Sequence, residues 1–321
     1  MNKAFVMGGT GFVGERVCAQ LLAQGWQVTV PTRSRASSGT APRIGGVTLL
    51  ELDVHDEAAL RGALMGQDAV VNLVAILHGT QAQFQQVHVS LLEKLARAAV
   101  AAGVKQLVHV SAIGANAQQP LSAPSMYLRS KGQGEAVLLR AATLTEPPGF
   151  ELTILRPSVI FGAHDKFLNV FASLQKTLPF MPLAGADARF QPVWVEDVAS
   201  AVLRCLARSE PAAAARAPLV LEACGPDVFT LRELVQLAAR LSGVRGGRGR
   251  AVFALPKWLA RVQATLMELA PGEPVMTRDN LDSMKLDNVA SGALPGLDYL
   301  GIKVAALVPV ATAYLGAKHA V

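Results

Sequence analysis

The stretch Lys3-Ala4-Phe5-Val6-Met7, followed by Gly8-Gly9-Thr10-Gly11-Phe12-Val13-Gly14, constrains the chain more than any other. An apolar run with strand character ends in a glycine turn. A helical pattern of Phe12, Val13, Val17, Leu21 and Leu22 follows and closes at Gly25. Strand, glycine turn and helix together make a phosphate-binding start of the dinucleotide type. Glycines let the chain turn sharply, let backbone approach a pyrophosphate and let helix and strand pack closely. The helix N-terminus then offers free N–H groups and partial positive charge. The spacing is Gly-x-x-Gly-x-x-Gly rather than Gly-x-Gly-x-x-Gly. Its weight comes from its place between a strand and a helix at the head of a long β/α alternation. The competing reading is a structural turn in an α/β domain that has no ligand.

Length and composition agree with such a fold. The chain has 321 residues, of which 51% are hydrophobic and 17% charged. That suffices for a sizeable core in one large domain or two. The net charge of +6 suits an anionic ligand or an acidic membrane surface. Cys18, Cys205 and Cys224 lie far apart in apolar patterns, so they read as buried thiols of a reducing compartment, without disulfide or zinc spacing. The first strand begins at residue 3, which leaves no room for a signal or transit peptide. A cytoplasmic protein is expected, without a metal site. No uninterrupted apolar run reaches the roughly 18 residues of a membrane span.

The alternation continues down the chain. Residues 27–31 read as the second strand, ending in Thr32-Arg33-Ser34-Arg35. In a dinucleotide fold this strand end faces the adenosine ribose, where an acid suits the 2′-hydroxyl of NAD and a base the 2′-phosphate of NADP. Two arginines and no acid favour NADP(H) over NAD(H); the plainer reading is a solvated loop charge. A third strand over 47–52 runs into Asp53-Val54, and Asp53 can meet the adenine edge or serve as a loop carboxylate. Asp56 is a candidate N-cap for a helix to about Leu64. Residues 69–74 are almost continuously apolar, as in a parallel strand buried on both faces. Val74 borders the cofactor there, and Ala75 is small enough for close approach. A helix over 82–102 should stop at Gly103. His88 inside it reads as a packing or surface histidine.

Residues 106–111 form the fifth expected strand, bringing Val110 and Ser111 to its end. Tyr127 and Lys131 then lie four apart at a helix start, on one face. An ammonium beside a phenol favours the phenolate and lowers the tyrosine pKa. Such a tyrosine can exchange a proton with a hydroxyl or carbonyl, while the lysine holds a ribose. A surface helix start is the bland alternative. The sixth strand, 151–156, leads into Pro157-Ser158-Val159-Ile160-Phe161-Gly162, a turn bordering the cofactor crevice. Thr230 and Glu233 form a candidate capping box. Residues 243–250, rich in glycine and arginine, read as a flexible loop rather than an anion-binding arm, and no nucleic-acid partner is expected. Leu255, Trp258, Leu259, Val262, Leu266 and Leu269 follow helical spacing. Such a helix either faces the core or lies on a membrane or partner. The aliphatic tail from Val304 to Leu315 contains Pro309 and is too short to span.

The glycine turn, Tyr127 and Lys131, and residues 156–162 resemble the extended and atypical short-chain dehydrogenases. Residues 165–169, 275–280 and 294–302 narrow the resemblance to the branch of the nucleotide-binding accessory subunit of respiratory complex I and its bacterial relatives. The resemblance implies an α/β fold: a Rossmann-type doubly wound parallel sheet over residues 1–160, with a smaller, interleaved C-terminal α/β lobe over 161–321. It implies that Gly8, Gly11 and Gly14, with Thr10, Phe12 and Val13, hold the pyrophosphate and Arg33 the 2′-phosphate. Tyr127 and Lys131 would hold the nicotinamide ribose, with Val110, Pro157 and Val159 lining the crevice. Catalytic relatives carry serine or threonine as the second residue of the pair ending the fifth strand, whereas here that pair reads Ser111-Ala112. The expected function is therefore an NADP(H)-binding protein with a structural or redox-sensing role, peripheral at the inner face of a membrane or on a respiratory-complex partner. The alternative is an NADP-dependent reductase, epimerase or dehydratase using Tyr127, Lys131 and Ser111.

Overall fold

The protein is described by a computed structural model covering residues 1–33, 45–143, 149–208, 217–272 and 274–316; Arg35 lies outside the described residues. Seven parallel strands form its main sheet: β1 (Lys3–Met7), β2 (Gln27–Thr32), β3 (Thr48–Glu51), β4 (Ala69–Asn72), β5 (Gln106–Val110), β6 (Glu151–Pro157) and β7 (Leu219–Ala223). Their spatial order is β7-β6-β5-β4-β1-β2-β3. The order reverses between β4 and β1, and every strand ends at the same edge, so a crevice opens at the carboxyl ends of those two strands. In-register pairs such as Met7 with Asn72 and Val110 with Leu155 fix the level of that edge.

Alternation along the strands builds two cores. Ala4 and Val6 of β1, with Val28, Val30, Val71, Val108 and Leu155, face one layer. In it α1 (Phe12–Ala23) packs with the helix Val195–Leu206. Phe5 and Met7 face the other, with Val70, Leu107, Leu152 and Ile154. There lie α2 (Glu57–Leu64), α3 (Gln81–Gln85 continuing through Gln86–Ser90 to Leu91–Ala102) and α4 (Met126–Thr143). Strand β4 is buried at all four positions, which explains its unbroken apolar run. A third core, around Phe161, Phe171, Leu231, Leu234 and Leu307, gathers elements of the C-terminal part.

The local signals act as the sequence suggests. Asp56 caps α2 by accepting the N–H groups of Ala58 and Ala59, and Thr230 forms its capping box with Glu233. Gly103 ends α3 in the left-handed region. Of residues 243–250, 243–248 fold as successive turns. Helix α3 departs from the expected continuous helix. It starts as Gln81–Gln85, widens into a π-turn over Gln86–Ser90 and resumes as Leu91–Ala102. Side-chain bonds made by His88, described below, stabilise that wide turn, and periodicity carries no trace of them.

Helix Lys257–Leu269 also departs from a core-facing reading. Only Ala260 and Ala264 are buried along it, while Trp258 is 69% and Leu269 79% exposed. Among the described residues, no helix is long and apolar enough to cross a membrane.

Candidate functional site

The glycine turn is closed by steric necessity. A Cβ on Gly14 would sit 2.1 Å from the carbonyl oxygen of Gly8, and one on Gly9 would lie 2.7 Å from Val30. Gly8 has φ +80°, and a Cβ there would press on Leu73 at 3.2 Å. The turn therefore lies against the end of β4, at the point where strand order reverses. Gly11 opens α1 in extended conformation with no side-chain cap. The first N–H groups of α1, at Phe12 and Val13 after Thr10 and Gly11, are thus left to the crevice. Phe12 closes one side, since a Cβ on Gly162 would meet its ring at 3.1 Å.

The other strand ends supply the remaining positions. Thr32 is half-buried and Arg33 exposed at the end of β2. Asp53 accepts the N–H of His55 at 2.9 Å, a local turn contact on an exposed carboxylate, while Val54 packs toward the second core. After β4, Val74 donates its N–H to Asn72 Oδ1 at 3.2 Å, and Ala75 is exposed. After β6, Pro157 is buried and Val159 donates to Asn288 Oδ1 at 3.0 Å.

Helix α4 carries Tyr127 and Lys131 and is held from below by buried polar contacts. Glu135, fully buried one turn beyond Lys131, takes a two-point ion pair from Arg156 of β6, at 2.9 and 2.5 Å. Lys131 Nζ donates to the Val110 carbonyl at 2.9 Å, which ties α4 to the end of β5. Burial pushes Lys131 down to about 8, against the pull of Glu135. Tyr127 differs from expectation: burial pushes its phenol up to about 12. Desolvation of the phenolate outweighs the lysine, one of whose N–H donors goes to the Val110 carbonyl.

A second chain of bonds fixes Tyr127 from its other side. Ile76 donates its N–H to His88 Nε2 at 3.1 Å, so that nitrogen is the acceptor. His88 Nδ1 then donates to Ser130 Oγ at 2.8 Å, and Ser130 donates to the Tyr127 carbonyl at 2.7 Å. Burial, with Lys131 next, pushes His88 down to about 3, so the imidazole is neutral across the physiological range. Its ring stands edge-on to Tyr127, with centroids 5.6 Å apart. The π-turn thus carries a histidine that joins the loop after β4 to α4, a role its position in the sequence does not signal.

Tyr127 packs on an apolar cluster of Ala112, Ala123 and Leu128. Ala112, the residue after Ser111, belongs to that cluster and offers only a methyl group. Ser111 Oγ is buried, with no hydrogen-bond partner among the described residues, as is His109 Nε2. Asp279, also buried, reaches α4 from the far end of the chain. It accepts the N–H groups of Met126 at 2.7 Å and Tyr127 at 3.0 Å. Across 152 residues of separation, no local pattern could have revealed this contact.

Taken together, the crevice has a cradle that any Cβ would fill, an uncapped helix N-terminus, a cation at the end of β2 and two donors on α4. Those features suit a dinucleotide with two phosphates and two riboses. The NAD-dependent epimerase/dehydratase family model matches residues 4–217. The chain belongs to this family. It is 31% identical to the mouse mitochondrial NADH dehydrogenase [ubiquinone] 1 alpha subcomplex subunit 9 over 307 residues, 94% of the chain and 76% of that protein. It is 33% identical to the Arabidopsis thaliana protein of the same name over 244 residues, 73% of the chain and 56% of that protein's length. The dTDP-glucose 4,6-dehydratase DesIV of Streptomyces venezuelae, solved with NAD and TYD bound, matches at TM-score 0.64 and 25% identity, over 79% of this chain and 85% of that one. As a member of the epimerase/dehydratase family, the chain is an NAD(P)-binding protein of the short-chain dehydrogenase type, with a Rossmann-like sheet.

The charge on Lys131 gives the site a pH dependence. Its folded-state pKa is lowered, so it is protonated below about 8 and neutral above. If the ammonium is required for binding, cofactor affinity holds from pH 6 to 7 and falls up to about tenfold by pH 9. Calorimetric titrations across that range should show the fall in the wild type and a flat profile in Lys131→Met. His88 stays neutral throughout and adds no slope of its own.

Proposed function

We propose that the protein holds NADP(H) in a structural or redox-sensing role, as a relative of the complex I accessory subunit. The observation that carries the reading is that Tyr127 packs on an apolar cluster to which Ala112 contributes a methyl group and no hydroxyl. A hydride acceptor would need a positioned hydroxyl beside the phenol, and the loss of one such donor costs about 10²–10³ in rate. The phenol pushed up to about 12 points the same way, because a proton-transfer group works best with a pKa near ambient pH. In this reading Gly8, Gly11 and Gly14, with the N–H groups of α1, take the pyrophosphate. Arg33 takes the 2′-phosphate. Tyr127 and Lys131 bond the nicotinamide ribose, with Val74, Ala75, Val110, Pro157 and Val159 around the ring. The cofactor when bound would supply hydride chemistry, and these residues bind and orient it. The pair Tyr127 and Lys131 favours the second reading, an NADP-dependent reductase, epimerase or dehydratase in which Ser111 supplies the hydroxyl.

Two measurements test this reading. A charge-assisted contact from Arg33 to a phosphate is worth about 1.5–3 kcal/mol, or one to two decades in affinity. Calorimetry should find NADPH bound more tightly than NADH in the wild type and about equally in Arg33→Ala; equal affinities in the wild type end the NADP(H) preference. NADPH absorbance followed against quinones, aldehydes, ketones and nucleotide sugars should stay constant. Turnover above about 1 s⁻¹ that vanishes in Tyr127→Phe establishes the reductase reading instead.

The same proposal places the protein on the cytoplasmic face of a membrane or on a membrane-bound respiratory partner. Its support is the exposed apolar side of helix Lys257–Leu269, with Lys257 and Arg261 off that side and a net charge of +6. Attachment of this kind is interfacial and salt-sensitive. The wild type should float with anionic liposomes at low salt and detach at high salt, and a Trp258→Ser, Leu266→Ser double variant should stay unbound. A wild type that ignores liposomes at both salts and is absent from its own cell membranes removes this placement.

A further inference from the structure

Two long helices present their N-termini at the carboxyl edge of the sheet, and they are finished in opposite ways. Helix α1 has no side-chain cap and leaves its first N–H groups to the crevice. Helix α4 is closed completely. Ser125 Oγ accepts the Leu128 N–H at 3.2 Å, a local cap. The two preceding N–H groups, of Met126 and Tyr127, go to the two carboxylate oxygens of Asp279, at 2.7 and 3.0 Å. A buried carboxylate at a helix N-terminus meets both the free donors and the positive end of the dipole.

Asp279 is placed by its own short helix and by the bonds of the segment around it. Its short helix, Arg278–Ser283, starts with a capping box between Thr277 and Asn280. Arg278 is bonded to Glu268 at 2.8 Å, and Arg261 to Asp282 at 2.9 Å. Ser283 Oγ donates to Ser125 Oγ at 2.8 Å. Farther along, the Asn288 side chain takes the hydroxyl of Ser158 at 2.6 Å, and Ser291 donates its N–H to Glu222 at 2.7 Å. The segment from Thr277 to Ser291 thus crosses the edge of the sheet from α4 past β6 to β7 and is pinned at each.

We infer that Asp279 is a positioning residue for the nicotinamide half of the cofactor site: by capping Met126 and Tyr127 from the C-terminal segment, it fixes where the Tyr127 phenol stands, and it closes the α4 N-terminus so that the open N-terminus of α1 is the one left for phosphate. This rests on the reading that Tyr127 and Lys131 bond the nicotinamide ribose. Without Asp279 the first turn of α4 has two free donors at the crevice, and the tyrosine on that turn loses its reference. Lys131, a turn deeper and bonded to Val110, is unaffected. Among the described residues, the hydrogen bonds of the Asp279 carboxylate go to Met126 and Tyr127 and not to the adenosine half of the site, at the glycine turn and Arg33.

The two halves are separated by titrating full-length protein with NADPH and, independently, with 2′,5′-ADP, which carries only the adenosine phosphates. Asp279→Ala should weaken NADPH about five- to tenfold, roughly what a lost helix cap is worth, and leave 2′,5′-ADP within about twofold of the wild type. Adding Tyr127→Phe to Asp279→Ala should cost less than it does in the wild type, because the two changes remove one interaction. If Asp279→Ala does not fold, Asp279→Asn, which keeps a single acceptor oxygen, should weaken NADPH about threefold with 2′,5′-ADP again unchanged. Unchanged NADPH affinity, equal losses for the two ligands, or additive effects of the two substitutions each overturn the inference. A wild type that binds 2′,5′-ADP but not NADPH more tightly overturns the ribose assignment on which it rests, and one that binds neither overturns the cofactor reading itself.

Discussion

A side chain at residue 14 would have to share space with the carbonyl oxygen of Gly8, at a Cβ distance of 2.1 Å. Everything at the crevice depends on that approach. It brings the first turn of α1 down onto the end of β1, and Gly8 in turn onto Leu73 at the end of β4. The reversal of strand order leaves a gap between β1 and β4, and the glycines let backbone rather than side chains line it. The uncapped N–H groups of α1 therefore face a space bounded by main chain, where partial charges are fixed before any ligand arrives.

On the other side of the crevice the structure relies on polar contacts inside the fold. Breaking a buried ion pair such as Glu135–Arg156 costs about 3–5 kcal/mol, because the surviving charge is stranded. That is a large share of the 5–15 kcal/mol by which domains are usually stable. With Glu135 fully buried, the pair sets the depth of α4 on the sheet. The bonds from Ile76 through His88 and Ser130 to Tyr127 set its rotation. Each donor in that chain has a single acceptor, so the imidazole has one tautomer, and its burial keeps it neutral. Lys131 completes the arrangement by donating a hydrogen bond to a backbone carbonyl, that of Val110. The outcome is a tyrosine that is well placed and poorly acidic.

Much of this was legible in the sequence, and the boundary is physical. Strands buried on both faces, such as β4, announce themselves as apolar runs. Caps such as Asp56, Thr230 and Gly103 act within a turn of their own helix, so local spacing finds them. The glycine turn is legible because it is contiguous. His88 was not, since its burial comes from a π-turn stabilised by partners 12 and 42 residues away. Asp279 was not, since its partners lie more than 150 residues earlier. The expected low tyrosine pKa failed for a related reason: spacing places a lysine one turn from a phenol but says nothing of how dry the phenol is, or which acceptor the lysine meets first. The helix after residue 255 has the pattern of a core helix, and only the packing of the other elements leaves its apolar side uncovered.

That helix, Lys257–Leu269, is attached unlike its neighbours. It buries two alanines, and two ion pairs with partly exposed partners join it to the short helix that follows. Ion pairs of this kind contribute about 0–1 kcal/mol each, whereas the helices on the sheet bury larger apolar side chains, such as Val17 and Leu21 of α1 and Leu91, Leu92 and Leu95 of α3. The free energy needed to open it is therefore a small part of that needed to unfold the sheet, and the protein is built with a graded hierarchy of local stability. Hydrogen exchange would reach this helix long before the Rossmann core, and its amides would exchange through a local event that leaves the glycine turn closed.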